Sequence, residues 1–164
     1  MKKIGIIMGS DSDLPILRKS MDVLKELDIP FECHIFSAHR TPAEARDFAL
    51  NARAKGFGAL IAAAGMAAHL AGAIAANTTL PVIGIPCKGP VLDGMDALLA
   101  TVQMPTGIPV ATVAVNGGVN AALLAAQILA VEDHNLARKL DAKRISDSAK
   151  VLEKDAALQA ELNP

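Results

Sequence analysis

The sequence contains no tryptophan and no tyrosine, and only four of its 164 residues are phenylalanine. The aromatic side chains that usually sandwich a flavin ring are therefore lacking. No G-x-G-x-x-G motif follows the first apolar run, and no G-x-x-x-x-G-K-[ST] motif occurs anywhere. These absences argue against a dinucleotide site and a P-loop nucleotide site.

The chain also has few cysteines and a net charge close to zero. The two cysteines, Cys33 and Cys87, show no metal-ligand spacing, so we expect reduced thiols, a cytoplasmic protein and no metal site. The 16 basic and 17 acidic side chains leave a net charge of -1, which gives no positive field for nucleic acid. No uninterrupted apolar run is long enough to cross a membrane.

Apolar residues are abundant, at 52% of the chain. The length fits one domain, residues 1–164, which we divide into a core of about 3–131 and a helical tail of about 132–164. The apolar share slightly exceeds that of an average globular domain. We therefore expect part of the apolar surface to form contacts between copies of the chain, in a homo-oligomer.

Short apolar runs alternate with helical patterns over the first 115 residues. The predicted strands are 3–8, 31–36, 59–64, 81–86 and 109–115, and the predicted helices are 14–27, 42–55, 65–77 and 93–102. Alternation with short connections specifies right-handed βαβ units and a parallel sheet with helices on both faces. The sequence therefore predicts an α/β fold, a three-layer αβα sandwich with a flavodoxin-like five-stranded sheet in the order 2-1-3-4-5.

The last third of the chain has a different character. Residues 119–131 are apolar nearly all round, so this helix is predicted to be buried, with an interface between subunits as one possible location. Residues 132–162 mix charged and apolar side chains and are predicted to form a long helical tail. Its basic cluster of Arg138, Lys139, Lys143 and Arg144 is interpreted as a solvated face.

A serine, a histidine and an arginine stand just before a predicted helix start. Thr41 and Glu44 fit a capping box around a helix that begins at Pro42. Capping does not require Ser37, His39 or Arg40. The free amides of a helix N-terminus favour an anion, so these residues predict an anion site.

Ligands of open parallel sheets bind at the carboxyl ends of the strands, which directs attention to three loops. The first loop, from Gly9 to Asp13, offers glycine, two hydroxyls and a helix start, which together suit a phosphate. Asp13 would suit the hydroxyls of a ribose. The same residues are equally suited to a plain turn and cap, and this loop alone does not decide between the two interpretations.

The second and third loops supply the histidines. His39 beside Ser37 and Arg40 predicts a catalytic or ligand role, because the guanidinium can bind an anion through two hydrogen bonds. His69 is predicted to lie one turn into an apolar helix. At this position it could be either a buried structural histidine or a residue that contacts the ligand.

Five motifs agree in order and spacing with a known family. They read MGSDSD, SAHRTP, AAAGMAAHLAG, VQMPTGIPVATVAV and NAALLAAQIL, and together they resemble the PurE family of purine biosynthesis over about residues 4–129. The resemblance implies one of two activities. The bacterial branch has N5-carboxyaminoimidazole ribonucleotide mutase activity, and a second branch carboxylates aminoimidazole ribonucleotide directly with CO2. Arg40 and His69 favour the mutase, because the direct carboxylases tend to have other residues there.

The resemblance also implies residue roles. Ser10, Ser12, Ser37 and Arg40 would hold a 5′-phosphate, Asp13 the ribose, and residues 64–70 the imidazole and the migrating carboxylate, with His39 as general acid and base. The full expected site is Gly9, Ser10, Ser12, Asp13, Ser37, Ala38, His39, Arg40, Ala64, Gly65, Met66, Ala67, Ala68, His69 and Leu70. The sequence departs from the family pattern at Met66 and Ala71, which replace the usual Gly and Pro.

For partners, the resemblance implies a small-molecule substrate, no metal, ATP or organic cofactor, and an octamer of identical chains. A hypothesis of another class is also open, namely a non-catalytic sensor that binds a sugar phosphate with the same loops.

Overall fold

Five parallel strands form the centre of the fold. The computed structural model describes residues 1–163. The strands are β1 (Lys3–Met8), β2 (Phe31–Ile35), β3 (Phe57–Gly65), β4 (Val82–Cys87) and β5 (Ala111–Thr112). They pair in the order β2-β1-β3-β4-β5, and every pairing is parallel. The predicted α/β fold and strand order are confirmed.

Within residues 1–163, six α-helices connect and cover the strands. They are α1 (Leu14–Glu26), α2 (Pro42–Asn51), α3 (Leu70–Ala75), α4 (Met95–Val102), α5 (Gly118–Ala130) and α6 (His134–Leu162), and a short 3-10 turn (Asp11–Asp13) precedes α1. No helix within residues 1–163 combines the length and the apolar character that a membrane span requires.

Two separate cores lie on the two faces of the sheet. Successive side chains of a strand point to opposite faces, so Ile4 and Ile6 of β1 join one core while Ile7 joins the other. The first core is shared with α1 and α5, through residues such as Leu24. The second is shared with α2 and α3, through residues such as Phe48. The sheet is thus the middle of three layers.

Two predicted elements are shorter in the structure. Strand β5 has two residues instead of the predicted 109–115. Pro109 has no backbone N–H to add to the ladder, which accounts for the later start of the strand. Helix α3 begins at Leu70 rather than near residue 65. The intervening segment forms a turn in which Met66 has φ 55° and the Ala68 N–H donates to the Met66 carbonyl.

The predicted capping box before α2 is wrong. Helix α2 begins at Pro42 as expected, but the Thr41 side chain makes no capping hydrogen bond. Its Oγ1 instead accepts a hydrogen bond of 2.7 Å from the Ser37 N–H. The threonine therefore shapes the preceding loop, because its hydroxyl is engaged four residues upstream and is turned away from the helix amides.

The basic cluster of the tail is only partly a solvated face, which corrects the interpretation above. Lys139 donates to the carbonyl of Leu27 and lies 2.7 Å from the Asp28 carboxylate, and Lys143 lies 3.5 Å from Glu26. These contacts hold the first half of α6 against the end of α1. Residues 144–163 are exposed along the rest of the helix.

One face of helix α5 is buried, as predicted, and residues of the same subunit cover it. Val119, Asn120 and Gln127 of this helix are exposed. Its small side chains Ala121, Ala122, Ala125 and Ala126 are fully inaccessible and belong to the core shared with α1. At its start, Gly118 lies directly against α1, where a side chain would press on the carbonyl oxygen of Ile16. The Ser20 hydroxyl donates to the Gly118 carbonyl at 2.7 Å and fixes this approach.

We predict that Gly118→Ala lowers the free energy of unfolding by about 1–3 kcal/mol, the usual cost of overpacking. The backbone oxygen of Ile16 cannot move aside as a flexible side chain could. The energetic cost of the clash is therefore larger than the stability that alanine gains over glycine from its higher helix propensity. Urea unfolding measures the effect. Gly9→Ala is the matched control, since a Cβ there meets no atom within 4 Å, and equal midpoints for the two variants would contradict the prediction.

Candidate active site

The carboxyl ends of β1, β2, β3 and β4 surround one cavity of about 550 Å³. All the expected site residues except Ala68 line it, together with three that were not predicted. The lining residues are Gly9, Ser10, Ser12, Asp13, Ser37, Ala38, His39, Arg40, Ala64, Gly65, Met66, Ala67, His69, Leu70, Lys88, Gly89 and Pro90. The Ala68 side chain is buried instead. Two larger clefts border Pro81, at the amino end of β4, away from these loops.

The loop after β1 presents hydroxyls and open backbone. Ser10 caps the following 3-10 turn, since its Oγ accepts a hydrogen bond from the Ser12 N–H at 3.3 Å. No atom lies within 4 Å of the position that a Gly9 side chain would take. A ligand can therefore approach the backbone here closely, as a phosphate requires.

The loop after β2 is bound to the loop after β1. The Ser37 Oγ accepts hydrogen bonds from the N–H groups of His39, at 3.3 Å, and Arg40, at 3.1 Å. The Arg40 guanidinium donates to the Gly9 carbonyl at 2.7 Å. This hydrogen bond places a permanent positive charge beside the hydroxyls of Ser10 and Ser37.

Two imidazole rings meet at the rim. His39 and His69 lie with ring centroids 5.1 Å apart and planes at 77°, edge to face. His69 occupies the N-cap position of α3 and is exposed, so it is not a buried structural histidine. Both rings line the cavity, where they can exchange protons with a bound ligand.

Asp13 lines the cavity and lies close enough to Cys87 for each group to affect the pKa of the other. Burial raises the pKa of the Asp13 carboxyl above its ordinary value of 3.8, although hydrogen bonds from Cys87 and Ser12 oppose the rise. Burial and the nearby Asp13 charge raise the pKa of the Cys87 thiol to about 12. The thiol stays protonated at neutral pH and cannot act as a nucleophile.

Lys88, Gly89 and Pro90 line the cavity although sequence reasoning missed them. The predicted strand order places β4 next to β3, so its carboxyl end reaches the same rim. The strand order could therefore have pointed to the loop after β4, but the prediction considered only the loops after the first three strands. Among residues 1–163, no three His, Cys, Asp or Glu side chains are grouped so that they could hold a metal ion.

The fold and the site together define an α/β protein with a flavodoxin-like sheet and a polar cavity at the carboxyl ends of its strands. The family model described as AIR carboxylase matches residues 3–150. The crystal structure of Treponema denticola PurE superimposes with a TM-score of 0.84 at 30% identity, covering 94% of this chain and 97% of that chain. The chain belongs to the AIR carboxylase family, and the resemblance to PurE is confirmed.

Two curated relatives carry different names. The N5-carboxyaminoimidazole ribonucleotide mutase of Bacillus subtilis is 53% identical, covering 92% of this chain and 94% of that protein. The phosphoribosylaminoimidazole carboxylase of Saccharomyces cerevisiae is 49% identical over 95% of this chain. The match spans only 27% of the yeast protein, so the chain corresponds to one part of it.

We predict that Asp13→Asn raises the free energy of unfolding at pH 7. A carboxyl whose pKa is raised by folding destabilises the folded protein when it is charged, and asparagine removes that charge. Below about pH 3 the wild-type carboxyl is protonated in both states, so the difference disappears. Urea unfolding at pH 7 and pH 3 tests this, with Asp11→Asn, in the same turn, as control. A variant less stable than wild type at pH 7 would contradict it.

Proposed function

We propose that this protein is an N5-carboxyaminoimidazole ribonucleotide mutase of purine biosynthesis, an isomerase that converts N5-carboxyaminoimidazole ribonucleotide to 4-carboxyaminoimidazole ribonucleotide. The observation that carries the proposal is the pair of exposed imidazoles, His39 and His69, in one cavity with the Arg40 guanidinium. Curated relatives of nearly the same length support it, because they carry this name.

In this proposal the nucleotide lies across the strand ends. Its 5′-phosphate binds the hydroxyls of Ser10, Ser12 and Ser37 and the Arg40 guanidinium. The proposal is supported by the position of all four residues in the lining of one cavity. Asp13 accepts hydrogen bonds from the ribose hydroxyls. The imidazole ring then lies along residues 64–70, next to the histidine pair.

The reaction requires one proton to be given and one to be taken. The bond between the exocyclic nitrogen and the carboxylate breaks, its electron pair stays on nitrogen, which takes up a proton, and CO2 is released. The ring carbon then attacks CO2, and its hydrogen leaves as a proton. An imidazole can perform both transfers near neutral pH. His39 is the proposed acid and base, and the edge of His69 lies against its ring.

Turnover without added bicarbonate distinguishes the mutase from the alternatives. Purified protein should convert N5-carboxyaminoimidazole ribonucleotide to the carbon-carboxylated isomer without ATP or bicarbonate. Formation of that product only from aminoimidazole ribonucleotide and concentrated CO2 would favour a direct carboxylase, the activity named for the yeast relative. Binding without turnover in either assay would favour a sugar-phosphate sensor.

We predict that His39→Asn lowers kcat by about 100-fold or more, the usual loss when a general acid and base is removed. Product binding should change little, because the phosphate contacts come from Arg40 and the serines. Rate measurement and calorimetric titration of the product test both statements. His134→Asn, in the exposed start of α6, is the control. A retained rate in the His39 variant would remove this residue from the mechanism.

We also propose that the protein is cytoplasmic, that residues 1–164 form one domain, and that the chain assembles as a homo-octamer. An exposed apolar face on and before α4 supports assembly. Leu92, Met95, Leu99 and Val102 follow helical spacing and are each about half exposed or more. An apolar patch of this kind on a protein surface commonly forms an interface.

We predict that Leu99→Asp shifts the protein to smaller assemblies, because a charge in the centre of an apolar interface would lose its water. Light scattering measures the mass. Leu50→Asp is the control, because Leu50 has similar exposure but lies on α2 near Arg46 and Arg53. An unchanged mass for the Leu99 variant, with wild-type helicity, would exclude this face from the interface.

A further inference from the structure

Lys88 follows β4 directly and lines the cavity that holds His39, His69 and Arg40. We propose that Lys88 binds the carboxylate that migrates during the reaction, and that Asp93 holds the ammonium group whenever that carboxylate is absent. The inference rests on the proposed function. It adds a substrate-binding residue and a carboxylate that competes with the substrate for that residue, neither of which the sequence motifs indicated.

The charges of the cavity match the charges of such a substrate. Among the residues that line it, Arg40 and Lys88 are the two with long basic side chains and Asp13 is the one with a carboxyl group. The substrate carries two anionic groups, a phosphate at one end and a carboxylate at the other. Arg40 is engaged beside the serine loops, through its hydrogen bond to Gly9. Lys88 is therefore the cation available to the second anion.

Strand order places the two cations at opposite sides of the cavity. Gly9 follows β1 and Lys88 follows β4, and β3 lies between these strands. Neighbouring strands are about 4.8 Å apart, so the two strand ends are separated by about 10 Å. This is roughly the separation between the phosphate and the far edge of the base in a mononucleotide. The segment after β3, residues 66–70, begins between these two strand ends and carries His69.

The backbone around Lys88 is fixed by a strained neighbour. The Lys88 N–H donates to the Asn116 side-chain oxygen at 2.9 Å, and the Asn116 N–H donates to the Pro86 carbonyl at 2.9 Å. Asn116 has φ 59°, in the left-handed region that non-glycine residues seldom adopt. Such conformations persist where the surroundings enforce them, commonly at functional sites. The start of the Lys88 side chain is thus held at the rim.

The ammonium group at the end of the Lys88 side chain is held only weakly. The Lys88 ammonium lies 3.0 Å from the Asp93 carboxylate, and the two side chains are 59% and 81% exposed. Ion pairs this exposed contribute little to stability, so a substrate carboxylate can replace Asp93 at low cost. Asp93 itself has φ 53°, which holds its carboxylate in this turn.

Exchange between the two carboxylates suits the reaction. When CO2 leaves the nitrogen, the electron pair stays on nitrogen and the negative charge at this end of the substrate disappears. A lysine without another partner would stabilise the starting carboxylate and oppose this step. In the proposed exchange, the Lys88 ammonium pairs with Asp93 again as CO2 forms. It then pairs with the new carboxylate once that group has formed on the ring carbon.

Binding measurements separate Lys88 from Arg40. Lys88→Met should weaken binding of the carboxylated product about fivefold, the scale of one exposed ion pair, and leave binding of aminoimidazole ribonucleotide, which lacks the carboxylate, unchanged. Arg40→Met should weaken both nucleotides, since both carry the phosphate. Lys88→Arg should retain the preference. Lys150→Met is the matched control, because Lys150 forms a similarly exposed pair with Asp147 outside the cavity.

Asp93→Asn tests the exchange itself. Without its competitor, Lys88 should hold the substrate carboxylate more firmly, so KM and kcat should both fall, each by about threefold or more. A purely structural role for the ion pair would lower the melting temperature without this paired change. Thermal unfolding of every variant checks that the fold is intact.

Three outcomes would overturn the proposal. If Lys88→Met changed the binding of both nucleotides equally, a contact between Lys88 and the substrate carboxylate would be excluded. If Asp93→Asn had wild-type KM and kcat, the exchange of Lys88 between the two carboxylates would be excluded. Either result leaves the mutase proposal standing if wild-type protein turns over its substrate. Wild-type protein that binds neither nucleotide would overturn both proposals together.

Discussion

The parallel direction of the strands is the constraint on which the site depends. Because all pairings are parallel, each carboxyl end reaches the same edge of the sheet, and each following loop opens there. Residues far apart in sequence, such as Asp13, His39, His69 and Lys88, thereby line one cavity. Both faces of the sheet are buried under helices, so this edge is the place where polar groups can gather close to solvent.

Polar groups within this rim are arranged by a few hydrogen bonds between loops. The Arg40 guanidinium bridges to the Gly9 carbonyl, and the Asn116 side chain fixes the backbone at Lys88. Asp13 lies close to the protonated Cys87 thiol, and burial raises the pKa of its carboxyl. The site thus keeps a carboxylate in an unfavourable environment, as groups positioned for ligands often are.

Backbone strain is concentrated at the same edge. Met66, Asp93 and Asn116 have positive φ angles and follow β3, β4 and β5 respectively. Met66 lines the cavity, and its side chain approaches Gly89 in the next loop. The remaining such residue, Asp28, lies at the opposite edge, where it pairs with Lys139 of the tail. Asp93 and Asn116 do not line the cavity themselves, but both contact Lys88, which does. Strain of this kind is common near functional sites.

The sequence by itself determined the order and type of the elements. Short apolar runs between helical patterns specify buried parallel strands, because only such strands are apolar on both faces. That pattern led to the strand order and to the loops that carry Ser10, Ser37 and His39. Local chemistry was less informative. The Thr41 hydroxyl had two possible partners within reach, and its choice of Ser37 depends on the path of the loop.

Only the tertiary structure decided the contacts between loops. The edge of His69 against His39, the Asp13 and Cys87 contact and the place of Lys88 join residues from different strand ends. The docking of Lys139 and Lys143 on α1 similarly joins segments more than 100 residues apart. Periodicity and capping describe neighbours along the chain, whereas these distances depend on how layers and loops pack in space.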